Sequence, residues 1–230
     1  MKYPARKTYQ DKDIAQEYES KRFTSYLGRR GDRYERKTFQ ELVSDVDHPK
    51  MCLDIPCGTG RFSSELLSHG FEVVGADISR EMIRQAEVKH GKHSNVMGFV
   101  ICEIENLPFK DWSFDLVSCV RLMGHLPPSV KEHAIREIAR VTKNAAIITF
   151  YNQKSVMSLL RRFARFTRRI SLSWFPETER EQIHSIEKNG LKVKKILPRF
   201  RFFKETFFVL ASKQCDGPSN SGGENASERN

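Results

Sequence analysis

Met51-Cys52-Leu53-Asp54-Ile55-Pro56-Cys57-Gly58-Thr59-Gly60 reads as a strand running into a ligand-cradling loop, because an apolar run ends in an acid and then in two glycines spaced two apart. Glycine lets the backbone pass close to a bound ligand with no Cβ in the way, and the helix expected over 61–69 offers free N–H groups at its start. A second strand is expected over 71–76, closed by Asp77. An acid at that place is where an αβ nucleotide site holds ribose hydroxyls, and an ionised carboxylate, being acceptor-only, suits two hydroxyl donors.

Outward from this core the chain alternates apolar runs with helical spacing. Strands are expected at 51–55, 71–76, 97–102, 114–120 and 145–150, and helices at 61–69, 79–90, 129–140 and 179–189. Residues 191–197 and 202–211 read as a closing pair of strands, a hairpin at the sheet edge. The fold class expected is therefore α/β: a doubly wound, seven-stranded, mainly parallel sheet with an antiparallel edge strand and helices on both faces. Ser79 offers an N-cap to the second helix, and Asn189-Gly190 a C-cap to the last.

Residues 1–46 read as an N-terminal helical cap, with a helix over 33–46 whose inner face carries Phe39, Leu42 and Val43. Residues 47–212 read as one cofactor-binding domain. Within it, 153–175 is a basic insertion in which Leu159, Leu160, Phe163 and Phe166 recur at helical spacing among arginines, the pattern of a basic amphipathic helix. Residues 213–230, rich in Gly, Ser, Asn and Glu, read as a disordered tail.

The loop resembles that of the class I S-adenosylmethionine-dependent methyltransferases, whose D-x-G-x-G-x-G appears here as Asp54-Ile55-Pro56-Cys57-Gly58-Thr59-Gly60, with proline in place of the first glycine. Proline fixes φ and favours an extended residue before it, which suits a strand end, so the loop is expected to survive. Val100–Phe109 is similar to the family's third-strand end, with Glu103 where aspartate is usual and Ile104 where alanine is usual. Ser113–Val120 is similar to its fourth strand, and Arg136–Lys143 to the helix end before the fifth. The likeness covers roughly residues 50–150 and is of the broad small-molecule type, similar to the ubiquinone and menaquinone biosynthesis enzymes. It implies S-adenosylmethionine as cofactor, S-adenosylhomocysteine as product, no metal, and a cofactor site made by Asp54, Pro56, Cys57, Gly58, Thr59, Gly60, Asp77, Ile78, Glu103, Ile104 and Cys119.

Methyl transfer from a sulfonium is an in-line displacement, so the protein mainly aligns nucleophile, carbon and sulfur and keeps water out. Ligands of open α/β sheets bind beyond the strand C-termini, which points to Arg121-Leu122-Met123-Gly124-His125 after the fourth strand. His125 is the expected base if the acceptor holds its proton, and Arg121 suits a carboxylate or phosphate. Tyr18, Tyr26, Tyr151 and Asn152 are further pocket candidates. The Asn/Asp-Pro-Pro-aromatic motif of base and amide N-methylating relatives is missing at this strand end, and a nicotinamide site is disfavoured because Ser63 stands where G-x-G-x-x-G requires glycine.

The chain of 230 residues carries a formal net charge of +10. Residues 151–212 hold +9, whereas 46–150 hold −1. A field of that sign favours a small, anionic or amphipathic acceptor, or peripheral contact with an anionic membrane or an RNA, with tRNA methylation and non-catalytic cofactor binding as alternative functions. Five cysteines without a C-x-x-C pair, no leader-like N-terminus and no apolar run of membrane length lead to the expectation of a cytoplasmic protein with reduced thiols and no transmembrane segment.

Overall fold

Seven strands, β1 (Met51–Asp54), β2 (Glu72–Asp77), β3 (Val96–Ile101), β4 (Phe114–Cys119), β5 (Thr142–Tyr151), β6 (Leu191–Pro198) and β7 (Thr206–Lys213), form one sheet in the order β3-β2-β1-β4-β5-β7-β6. The computed structural model describes residues 26–46, 50–153, 175–198 and 206–213. The expected N-terminal segment before residue 26, with Tyr18, the basic stretch at 154–174, the residues at 199–205 and the tail from 214 onward lie outside the described residues, and of Tyr26 only the backbone is described.

Strands β1 to β5 pair in parallel, and β7 runs antiparallel to both β5 and β6. The reversed strand thus lies one place in from the edge. Side-chain chemistry explains the swap: Phe207, Phe208, Val209, Leu210 and Ala211 are all buried, as an interior strand requires, while β6 exposes Lys192 and Lys194.

Among the described residues the α-helices are α1 (Tyr26–Ser44), α2 (Ser63–Ser68), α3 (Arg80–His90), α4 (Pro128–Val141) and α5 (Glu179–Lys188). Helix α2 starts two residues later than the sequence suggests, because turns occupy the residues just before it. The Ser79 hydroxyl caps α3 by accepting the Met82 N–H. Pro128 opens α4, where its fixed φ costs nothing and its missing N–H would be unused. A reciprocal capping box between Thr178 and Glu181 starts α5.

Alternation along the strands splits the interior into two cores. Leu53, Val117 and Ile148 face α4 and α5, meeting Ile135, Ile138 and Ile186. Their sequence neighbours Cys52, Leu116 and Ile147 face the other way, onto Phe39, Leu42 and Val43 of α1 and Leu66 of α2. Burial of those three α1 side chains is worth on the order of 1.5–3 kcal/mol each, which fixes α1 against the sheet face that leads to the glycine loop.

Candidate active site

The strand order reverses between β1 and β4, and the loops after β1, β2 and β4 open there into one cleft. Pro56, Cys57, Gly58 and Thr59 form one wall, Asp77 and Ile78 a second, and Val120, Arg121 and Leu122 a third, with Arg61 and Phe62 between. This is the crevice at which open α/β sheets take ligands.

The loop after β1 holds its course without a donor at position 56. The Ile55–Pro56 peptide is cis, and on either side the Ile55 N–H donates to the Ser118 carbonyl and the Cys57 N–H to the Ala76 carbonyl, both at 2.8 Å. Gly58 has φ +55°, and a Cβ placed on it would meet no atom within 4 Å. The space above Gly58 is therefore open to a ligand. Gly60 differs: at φ +78° its missing Cβ would lie 2.5 Å from the His90 ring, so its glycine serves packing.

Asp77 points into this loop. Its Oδ2 accepts the Gly58 N–H and its Oδ1 the Ser79 N–H, each at 2.9 Å. Burial pushes its carboxyl up to about 6, against the pull of the backbone N–H groups of Ser79, Gly58 and Ile78. Each oxygen keeps lone-pair capacity for a further donor. Asp54 has a different place. It is buried beneath the loop, where its two oxygens accept the Ser63 and Ser118 hydroxyls at 2.7 and 3.1 Å, and burial pushes its carboxyl up to about 7 despite those bonds. It braces β1, α2 and β4 and does not line the cleft.

Other expected site residues are spread more widely. The Cys102 N–H donates to the Asp77 carbonyl at 3.1 Å, which brings the end of β3 beside the end of β2, yet half-buried Glu103 does not line the cleft. Ile104 and Cys119 are buried in the core shared with α4. Burial raises the thiols of Cys57 and Cys119, which keeps them protonated near neutral pH. His125 closes a 3₁₀ turn at Met123–His125, half-buried, with its ring centroid 6.1 Å from that of Tyr151. Gly124 permits this packing, since a Cβ there would lie 2.1 Å from the Tyr151 ring.

Among the described residues expected to act on the acceptor, Arg121 alone lines the cleft. Its φ is +67°, unusual for a residue with a Cβ, and its N–H donates to the buried Thr149 hydroxyl at 2.6 Å. Its Nη1 donates to Oε2 of Glu35 at 2.8 Å. Glu35, only 1% exposed on α1, accepts from Arg61 Nη2 with the same oxygen. Asp32 Oδ1 lies 2.6 Å from Arg61 Nε, and Arg36 bridges Asp32 to Glu65. Glu35 and Arg61 were not anticipated. A signal existed in α1, because Glu35 precedes Phe39 by four residues and Leu42 by seven, which puts a carboxylate on the apolar face.

Residues 52–145 match the family model described as a methyltransferase domain. That stretch of the chain is a methyltransferase domain by family. An uncharacterized protein of Methanocaldococcus jannaschii is 28% identical over 64% of this chain and 63% of its own length. The chain thus spans just under two thirds of that relative. The ubiquinone biosynthesis O-methyltransferase of Ralstonia nicotianae is 23% identical over 74% of this chain and 78% of its own. Among solved structures, the magnesium protoporphyrin IX methyltransferase of Synechocystis PCC 6803 with bound S-adenosylhomocysteine superposes with a TM-score of 0.76 at 18% identity, over 91% of this chain and 98% of that one. Among the described residues no helix is long and apolar enough to cross a membrane.

Proposed function

We propose that this methyltransferase binds S-adenosylmethionine in the cleft after β1, β2 and β4 and transfers its methyl group to a small-molecule acceptor. The observation that carries the reading is the pairing of Gly58 with Asp77: a buried carboxylate holds the loop by one N–H bond, and the glycine leaves open space beside it. These residues fit the cofactor. Asp77 has acceptor capacity for two ribose hydroxyls, and the loop backbone can come close to the ligand. Bound S-adenosylmethionine supplies a methyl group already activated by its positively charged sulfur.

The chain's own residues bind, orient and exclude water. Asp77 and the glycine loop hold one end of the ligand, and Val120, Arg121 and Leu122 border the side from which an acceptor enters. This reading assigns no proton transfer to His125, whose ring packs beside Tyr151. Calorimetric titration with S-adenosylhomocysteine, with NADH as control, tests it. Micromolar binding of the former alone is the expected result, with Asp77→Ala weakening it by ~1–3 kcal/mol, the usual loss for a hydrogen bond to a charged group. Binding of neither ligand by the wild-type chain, or of NADH alone, overturns the proposal.

A further inference from the structure

We propose that Arg121 is an anion-recognition residue for the acceptor and that the acceptor carries a carboxylate or phosphate group, an inference that rests on the methyltransferase reading of the cleft. A guanidinium offers five N–H donors in a fixed fork, and in this chain only part of the fork is used. Nη1 is taken by Glu35 at 2.8 Å. Nε is shielded from solvent and has no hydrogen-bond acceptor among the described residues. A buried donor left unpaired costs about 1–3 kcal/mol, a cost that an arriving ligand oxygen on the Nε edge removes.

Three further observations concern the place of Arg121. Arg121 lines the same cleft as Gly58 and Asp77. Its backbone is held at φ +67° by the 2.6 Å bond from its N–H to Thr149, and Thr149 is itself fully buried in β5. Strain of this kind is kept at a site only where the surrounding structure enforces it. Finally, Glu35 accepts from both Arg61 and Arg121 through one oxygen, while Arg61 is paired with Asp32 as well, so the carboxylate on Arg121 is one that it shares. A planar oxyanion group matches the remaining fork bidentately, which a neutral acceptor would not do.

The test uses the full chain saturated with S-adenosylhomocysteine, titrated with inorganic phosphate and separately with benzoate, and followed by ligand-observed NMR. Saturable binding of at least one probe is expected in the wild type. Arg121→Gln should weaken it at least fivefold while S-adenosylhomocysteine affinity stays within twofold. Arg121→Lys keeps a cation near Glu35 and guards against loss of the fold; it should retain phosphate better than benzoate, because a point charge lacks the fork. Probe binding unchanged in both variants overturns the proposal. Loss of S-adenosylhomocysteine affinity in Arg121→Gln, with the fold intact, overturns it too, since the anion received would then be the cofactor's own carboxylate. If the wild type binds no S-adenosylhomocysteine, the cofactor reading fails separately, and the same probe titrations on the unloaded chain still decide the anion site.

Discussion

The two sides of the cleft are built in different ways. On the glycine-loop side, Asp54, Gly58 and Asp77 lie within a strand–loop–helix–strand unit, and the bond from Gly58 to Asp77 spans 19 residues. On the α1 side, the bond from Arg121 to Glu35 spans 86 residues and joins a helix before the sheet to the end of its fourth strand. The first side is a local device that any βαβ unit with the right glycines can make. The second depends on α1 docking, because Glu35 reaches the arginines only when Phe39, Leu42 and Val43 are seated on the sheet. A ligand bound between them therefore touches one wall set by short-range pattern and another set by tertiary packing.

The largest expected effect comes from cutting the long-range side. Glu35→Ala leaves Arg61 and Arg121 without their shared carboxylate in a largely buried place, and breaking a buried ion pair in this way destabilises by about 3–5 kcal/mol. Urea denaturation read by circular dichroism measures it. A midpoint equal to that of the wild type would show that α1 is held by its apolar face alone and that the contrast between the two walls is empty.

A smaller effect is expected on the local side. Gly60→Ala combines a left-handed φ with a Cβ that would lie 2.5 Å from the His90 ring, at a cost of order 1–3 kcal/mol. The double variant with His90→Ala removes the collision but not the backbone strain, so thermal melts should show partial recovery. Full recovery would mean that φ +78° at Gly60 carries no strain, and no recovery would mean that the ring is not the obstacle.

The smallest effect concerns pH. Burial raises the Asp77 carboxyl to about 6, so the group gains its proton as pH falls from 8 to 5. The protonated carboxyl accepts fewer hydrogen bonds, and S-adenosylhomocysteine affinity should therefore decline on the acid side, with the change centred near pH 6 and a magnitude of about 1 kcal/mol. Folding runs the other way: a carboxyl whose folded value lies above its unfolded one favours the native state at low pH and loses that contribution as pH rises through 4–6. Calorimetric titrations at intervals of half a pH unit separate the two. An affinity that is flat between pH 5 and 8 would leave Asp77 without the role given to it.

Much of this was legible in the chain, and the parts that were not have physical causes. Strand and helix positions followed from periodicity, because each element has one apolar face and the period of that face is local. The place of Gly58 and Asp77 followed from the loop motif. The shift of α2 to Ser63 was not visible, since the turn before it depends on how Asp54 takes the Ser63 hydroxyl. Nor was the burial of the Ile104 and Cys119 side chains in the core shared with α4, because a position near a strand end does not say to which side its side chain turns. Glu103 and His125 share that difficulty: the sequence puts them near strand ends but does not orient them.

By itself the sequence determined the α/β class, the seven strands and the glycine loop with its two acids, since these rest on repeats and spacings within a few dozen residues. Only the tertiary structure decided that Asp54 braces the core while Asp77 faces the cleft, that β7 lies inside β6, and that Glu35 meets Arg61 and Arg121. Each of those outcomes pairs groups far apart in the chain, and the choice among possible partners is made by which apolar faces must be buried together.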